Sequence, residues 1–163
     1  MSKNSSPLTM LPFGYQGKVF RSPMPYGPFD RLSQTWQAYQ EQSISVVVVL
    51  TDNKEFLAHA GLDLPAFYRK ENIEAIHIPI PDFGIPGDKD AFWSAIKFAD
   101  KYARAGKNIA IHCLAGIGRT GLFMACLAKH HLGLSGKDAI DWVRKFIPGA
   151  LENLSQEKYV IDF

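Results

Sequence analysis

Cys113 and Arg119 stand six residues apart in the run His112-Cys113-Leu114-Ala115-Gly116-Ile117-Gly118-Arg119-Thr120. A thiol, two glycines, an arginine and a hydroxyl at these offsets suit a phosphate cradle with a nucleophile in its floor. Asn108-Ile109-Ala110-Ile111-His112 reads as a short buried strand, and Arg119 to His131 as an apolar helix. The cysteine therefore falls where a strand gives way to a loop and a helix begins. Unpaired N–H groups at a helix start point into such a loop, and the dipole there favours negative charge. Gly116 and Gly118 allow the loop to curl until its amides converge.

That field favours a thiolate as well as a phosphate. A free thiol titrates near ~8.5, so only a few per cent is ionised at neutral pH. Full ionisation raises the nucleophile population at most about 30-fold, roughly 2 kcal/mol. The larger gain comes from holding phosphorus in line with sulfur and clamping the equatorial oxygens of the transition state. Arg119 supplies the clamp, since its planar fork binds two phosphate oxygens at once, which a lysine does not. The competing P-loop motif is missing: no Gly-Lys-Ser/Thr occurs here.

The run resembles the His-Cys-x5-Arg-Ser/Thr signature of the cysteine-dependent protein phosphatases. The resemblance implies a cysteinyl-phosphate intermediate that water then hydrolyses, without metal or other cofactor. It implies that Cys113 is the nucleophile and Arg119 the phosphate binder, with the backbone of Leu114, Ala115, Gly116, Ile117 and Gly118 completing the cradle. Thr120 would stabilise the sulfur as leaving group, and His112 would hold the loop through hydrogen bonds.

Expelling a serine, threonine or tyrosine oxygen from phosphorus requires a proton donor at that oxygen. Ile78-Pro79-Ile80-Pro81-Asp82-Phe83-Gly84-Ile85-Pro86-Gly87 leaves a strand and carries one carboxylate in a loop of prolines and glycines. A carboxylic acid on a loop that closes over substrate meets the need. In dual-specificity relatives such a loop precedes the cysteine by about thirty residues, as Asp82 does here, so Asp82 is the expected general acid. Asp88 is the competitor, but Gly87-Asp88 reads as a helix start with Asp88 at the cap.

Within the family, the chain is most similar to the kinase-associated phosphatase branch, which acts on phosphothreonine of cyclin-dependent kinases. The similarity rests on Pro79-Ile80-Pro81-Asp82-Phe83-Gly84-Ile85-Pro86 and on Gly149-Ala150-Leu151-Glu152, and runs from about Val46 to Phe163. Many relatives carry a glutamine that positions the attacking water where this chain has Glu152. A carboxylate beside a phosphate dianion is repulsive unless protonated or turned away. Gln156, four residues on, shares its helical face if the helix reaches back that far, and is the expected substitute in positioning water.

The elements that must hold these groups are legible from periodicity. Lys18 to Ser22, Ile44 to Leu50 and Glu74 to Pro79 read as strands, the second apolar enough for a sheet covered on both faces. Asp30 to Gln42, Leu64 to Asn72 and Asp88 to Ala105 read as helices, with Ser135 capping a helix to Phe146 and a last helix starting near Asn153. Alternating strands and helices predict an α/β fold. The expected form is a mainly parallel central sheet flanked by helices on both faces, of the protein tyrosine phosphatase type. Residues 1–14 read as an N-terminal arm and 15–163 as a single catalytic domain.

At 163 residues the chain is the size of one domain that buries about 70% of its unfolded surface. The net charge of +2, without a basic block, gives no reason to expect nucleic acid or an anionic membrane as partner. Its two cysteines make no disulfide framework, and Cys126 lies among apolar helix residues as core. No apolar leader or membrane-length run is present in the sequence, so a cytoplasmic monomer is expected.

The expected substrate is a phosphoprotein, a kinase among the candidates, with phosphoserine, phosphothreonine and phosphotyrosine all open to a shallow pocket. The cradle positions Leu114, Ala115 and Ile117 carry no cation for extra phosphates, which weighs against a phosphoinositide or an RNA 5′-phosphate. A phosphoresidue-binding module without turnover and a sulfur transferase with a similar anion loop are the rival classes.

Overall fold

The computed structural model describes residues 5–163. Five strands and seven helices follow in the order β1 (Thr9–Leu11), β2 (Val19–Ser22), α1 (Thr35–Glu41), β3 (Ile44–Val49), α2 (Asn53–Ala60), α3 (Leu64–Lys70), β4 (Glu74–His77), α4 (Lys89–Arg104), β5 (Asn108–His112), α5 (Gly118–Leu132), α6 (Gly136–Phe146) and α7 (Leu154–Asp162). The sheet order is β1-β2-β5-β3-β4. Every pairing is parallel except that of β1 with β2 at the edge. This is the mainly parallel sheet that the sequence predicts.

The pleat sends alternate residues into two cores. Val46, Val48, Ile109 and Ile111 pack with α4, α5, α6 and α7 through Ile96, Leu122, Val143 and Val160. Val47, Val49 and Ala110 face the other way, against Tyr39 of α1, Phe56 of α2 and Tyr68 of α3. A strand covered on both faces has no polar side, so β3 and β5 are runs of apolar residues. The central position of β5 places its C-terminal end, and hence Cys113, in the middle of the sheet's edge.

Helix starts follow local chemistry. Asp88, Ser135 and Asn153 each cap the first turn of α4, α6 and α7 with a side-chain oxygen, as their positions predict. The helix expected over Asp30 to Gln42 is shorter, Thr35–Glu41. Asp30 is the cause: its carboxylate takes the N–H groups of Tyr26, Gln34 and Thr35, which fixes a loop where a helix would otherwise extend. The segment read as an arm docks in part, since β1 pairs with β2 and Leu8, Leu11 and Phe13 are buried.

Candidate active site

Cys113 follows directly on β5, and the loop it opens is fastened at its base. Leu50 N–H donates to His112 O at 3.0 Å and Met24 N–H to Leu114 O at 3.0 Å. The His112 side chain is buried beneath it. Its Nδ1 lies 3.0 Å from Cys113 O and its Nε2 2.9 Å from the Tyr68 hydroxyl. A carbonyl only accepts, so Nδ1 carries the proton and Nε2 accepts from Tyr68. Burial drives the imidazole pKa down to about 4, so the ring is a neutral brace.

Gly116 turns the loop with a φ of 77° and donates its N–H to the Cys113 sulfur at 3.3 Å. A side chain at this position would collide with Ser22 O and the Arg21 guanidinium, so glycine is needed for the turn and for the close approach. Ile117 begins α5 without a side-chain cap. The free N–H groups of a 15-residue helix therefore open toward the loop that holds Cys113.

Arg119, in the first turn of α5, is almost wholly buried. Nη1 and Nη2 each donate to one oxygen of Glu55 at 2.8 Å, Nη1 also to Ile80 O at 2.9 Å, and Nη2 lies 3.3 Å from Asp82 Oδ1. Burial opposes its charge, but the Glu55 hydrogen bonds and the neighbouring charges prevail and raise its pKa. One side chain thus ties the loop helix to the segment that bears Asp82. The neighbouring Thr120 hydroxyl is buried with no protein hydrogen-bond partner.

Asp82 is half-exposed, at the second position of a turn closed by Gly84 N–H to Pro81 O at 2.8 Å. Its neighbour Phe83 has a φ of 58°, a left-handed conformation that costs a non-glycine residue energy and persists only under external restraint. The restraint is visible. Asn153 Nδ2 donates to Phe83 O at 2.7 Å and Gln156 Nε2 to Gly84 O at 3.0 Å. Asp88 sits apart from this cluster in its bonding, accepting from Ala91 N–H as the cap of α4.

Glu152 reaches the cradle from the segment before α7. A Cβ on Gly118 would strike its carboxylate. Burial and the charge of Asp82 raise its pKa, while Arg119 and the Gly118 amide pull it back. Gln156 does not have the free amide expected of a water-positioning residue. Its Oε1 accepts from Glu152 N–H at 2.8 Å and its Nε2 is committed to Gly84 O, so both ends tie protein to protein. The physical reason is the Asn153 cap, which starts α7 beyond Glu152 and points Gln156 inward. Cys126 is buried in α5, and that burial pushes its thiol well above the ordinary range.

Glu55 and Arg21 are the site residues that the sequence reading does not reach. Glu55 had a local signal: Asp52-x-x-Glu55 forms a capping box that starts α2 and aims Glu55 inward from its first turn. Arg21 had none; it donates from β2 to Ala115 O at 2.8 Å and Gly116 O at 3.0 Å.

Comparison with known proteins places this geometry. A family model described as "Polymorphic toxin system, DSP-PTPase phosphatase" matches residues 25–131, a span that holds Glu55, Asp82, Cys113 and Arg119. Rat cyclin-dependent kinase inhibitor 3 is 29% identical over 126 residues, covering 76% of this chain and 59% of the relative. Phosphatidylglycerophosphate phosphatase PTPMT1 of Arabidopsis thaliana is 26% identical over 124 residues, covering 76% and 35%. The chain thus spans less than two thirds of the length of these relatives. Among solved structures, kinase-associated phosphatase with its catalytic cysteine replaced by serine superposes with a TM-score of 0.86 at 20% identity, over 99% of this chain and 96% of that one. The active form of Tk-PTP gives 0.71 at 25% identity, over 94% and 97%.

Proposed function

This chain belongs to the DSP-PTPase phosphatase family, and from that premise we propose that it hydrolyses phosphoprotein monoesters through a cysteinyl-phosphate intermediate. The observation that carries the reading is the Arg119 fork. It lies in the first turn of α5, directly after the Cys113 loop, near enough to feel the charge of Cys113 and 3.3 Å from Asp82, which supports a nucleophile, a phosphate binder and an acid in one small volume.

In the first step the Cys113 thiolate forms a bond to phosphorus as the ester oxygen leaves with the Asp82 proton. Arg119 and the amides from Leu114 to Gly118 hold the three equatorial oxygens, where the developing charge is greatest. In the second step the Asp82 carboxylate takes a proton from water, whose oxygen displaces sulfur from phosphorus. The Thr120 hydroxyl, buried without a protein hydrogen-bond partner, would turn to donate to the departing sulfur. His112 keeps the loop in shape and exchanges no proton with substrate.

The similarity to cyclin-dependent kinase inhibitor 3 and to kinase-associated phosphatase supports a phosphoprotein, a kinase included, as substrate. A lipid phosphate monoester is the second reading, favoured by the likeness to the Arabidopsis phosphatidylglycerophosphate phosphatase. The apolar side chains Leu114, Ala115 and Ile117 argue against a headgroup with several phosphates, though not against one with a single terminal phosphate. Phosphate release from an aryl phosphate, from phosphothreonine and phosphotyrosine peptides and from phosphatidylglycerophosphate, each with and without chelator, tests the reading. Phosphopeptide turnover that chelator leaves intact supports it. Turnover of the lipid alone selects the second reading, and binding without turnover makes the chain a phosphoresidue-binding module.

A further inference from the structure

Two arginines lie against the cradle, and their charges are balanced differently. Arg119 is surrounded by carboxylates: Glu55 holds both of its terminal nitrogens, Asp82 lies 3.3 Å from Nη2, and Glu152 is near enough to feel both Asp82 and Arg119. The group of four carries a net negative charge when its carboxyls are ionised. A phosphate dianion approaching that group alone meets repulsion.

Arg21 is the counterweight. It stands on β2, the parallel neighbour of β5, in register with Ile111. Its Nη2 donates to Ala115 O at 2.8 Å and its Nε to Gly116 O at 3.0 Å. Among the described residues no carboxylate pairs with it. The absent Cβ of Gly116 leaves the guanidinium in direct contact with the loop. Partial burial costs the ion solvation, which a neutral side chain of the same length would avoid, and the charge on Cys113 offsets part of that cost.

We propose that Arg21 is a positioning residue of the phosphate site and the source of its unpaired positive charge. Holding the Ala115 and Gly116 carbonyls outward leaves the loop amides to face the ligand. The charge behind the loop then offsets the carboxylates around Arg119 when a dianion enters. The inference rests on the reading of the Cys113 loop as a phosphate cradle.

Tungstate, a phosphate-shaped dianion, separates the two roles because its binding requires no turnover. Calorimetric tungstate affinity, kcat and KM on an aryl phosphate, and thermal unfolding are measured for the full chain and for Arg21→Met and Arg21→Lys. Loss of both roles in Arg21→Met should weaken tungstate binding and raise KM by about 10- to 100-fold, the scale of a misplaced cradle, and should lower kcat as well. Arg21→Lys should regain most of the affinity through its charge but not kcat, since one ammonium does not hold two carbonyls in a fixed fork. Affinity and kinetics within twofold of the parent in Arg21→Met overturn the proposal. Equal impairment of tungstate binding in both variants overturns the charge role. If Arg21→Met does not fold, Arg21→Lys decides alone: retained affinity with reduced kcat supports the proposal, and unchanged kcat or lost affinity overturns it. A parent protein that binds tungstate but turns over no ester defeats the catalytic reading, and the binding series still judges Arg21.

Discussion

Arg119 and Glu55, 64 residues apart in sequence, meet in a two-pronged ion pair with both N···O distances at 2.8 Å. The pair fixes the plane of the guanidinium, and so fixes which directions remain open to a phosphate. Removing Glu55 leaves a buried cation with less compensation and more freedom. Glu55→Ala should lower kcat/KM by about 10²-fold, the scale of a misplaced catalytic group. Chemical unfolding should show lost stability as well, since breaking a buried pair is costly. Wild-type kinetics in this variant would mean that the remaining partners, Ile80 O and Asp82, set the arginine.

Cys113→Ser keeps the shape of the loop but not an ionisable sulfur. Turnover should fall to background while tungstate binding survives. Equal activity in serine and cysteine forms would remove the covalent step.

For Asp82→Ala, turnover of alkyl phosphates should drop by about 10²–10⁴, the range for a lost general acid. The loss should shrink for aryl leaving groups that depart without a proton. Asp88→Ala should instead cost about 1 kcal/mol of stability through its cap and leave turnover in place. The reverse pattern would move the acid to Asp88.

Glu152 lies against the Gly118 position and shares the field of Asp82. Neutralising it in Glu152→Gln removes a charge that opposes a second dianion. Phosphate and vanadate should inhibit this variant about three- to tenfold more tightly. Inhibition unchanged across a range of salt would show the carboxylate to be turned away from the ligand.

The neutral His112 makes stability depend on pH. Its folded pKa of about 4 lies below the ~6.5 of an unfolded histidine. Between those values the unfolded chain binds a proton that the folded one refuses. Stability from this residue is therefore full above about pH 6.5 and is lost as pH falls toward 4, at up to about 1.4 kcal/mol per unit. Urea midpoints should decline from about pH 7 to about pH 5, and less so in His112→Gln. A parent profile flat across that interval would show that His112 accepts a proton in the folded state.

The cradle was legible in the sequence because its parts are neighbours: strand, cysteine, glycines and arginine fall within a dozen residues and obey local rules. The caps Asp88, Ser135 and Asn153 were legible for the same reason. Glu55 and Arg21 were not, because each acts on a group 64 to 95 residues away, and only the folded sheet brings them together. Gln156 shows the converse limit. The shared helical face expected for Glu152 and Gln156 does not form, because α7 starts beyond Glu152; the two meet instead through the Glu152 N–H, and spacing does not reveal that Gly84 O would claim the free end of the Gln156 amide.

The loop that carries Asp82 is gripped by its main chain: Arg119 holds Ile80 O, Asn153 holds Phe83 O and Gln156 holds Gly84 O. Every amino acid brings a carbonyl, so the grip makes no demand on the loop's own side chains. Phe83, whose side chain lies largely in solvent beside Asp82, is free to change identity while Asp82 stays where it is. At position 83 the local constraint is the positive φ, which glycine or asparagine meets with less strain than phenylalanine. The fold thereby separates two inheritances. The chemistry is locked into distant residues that reach across to hold the backbone, and the surface a substrate would touch can drift without disturbing it.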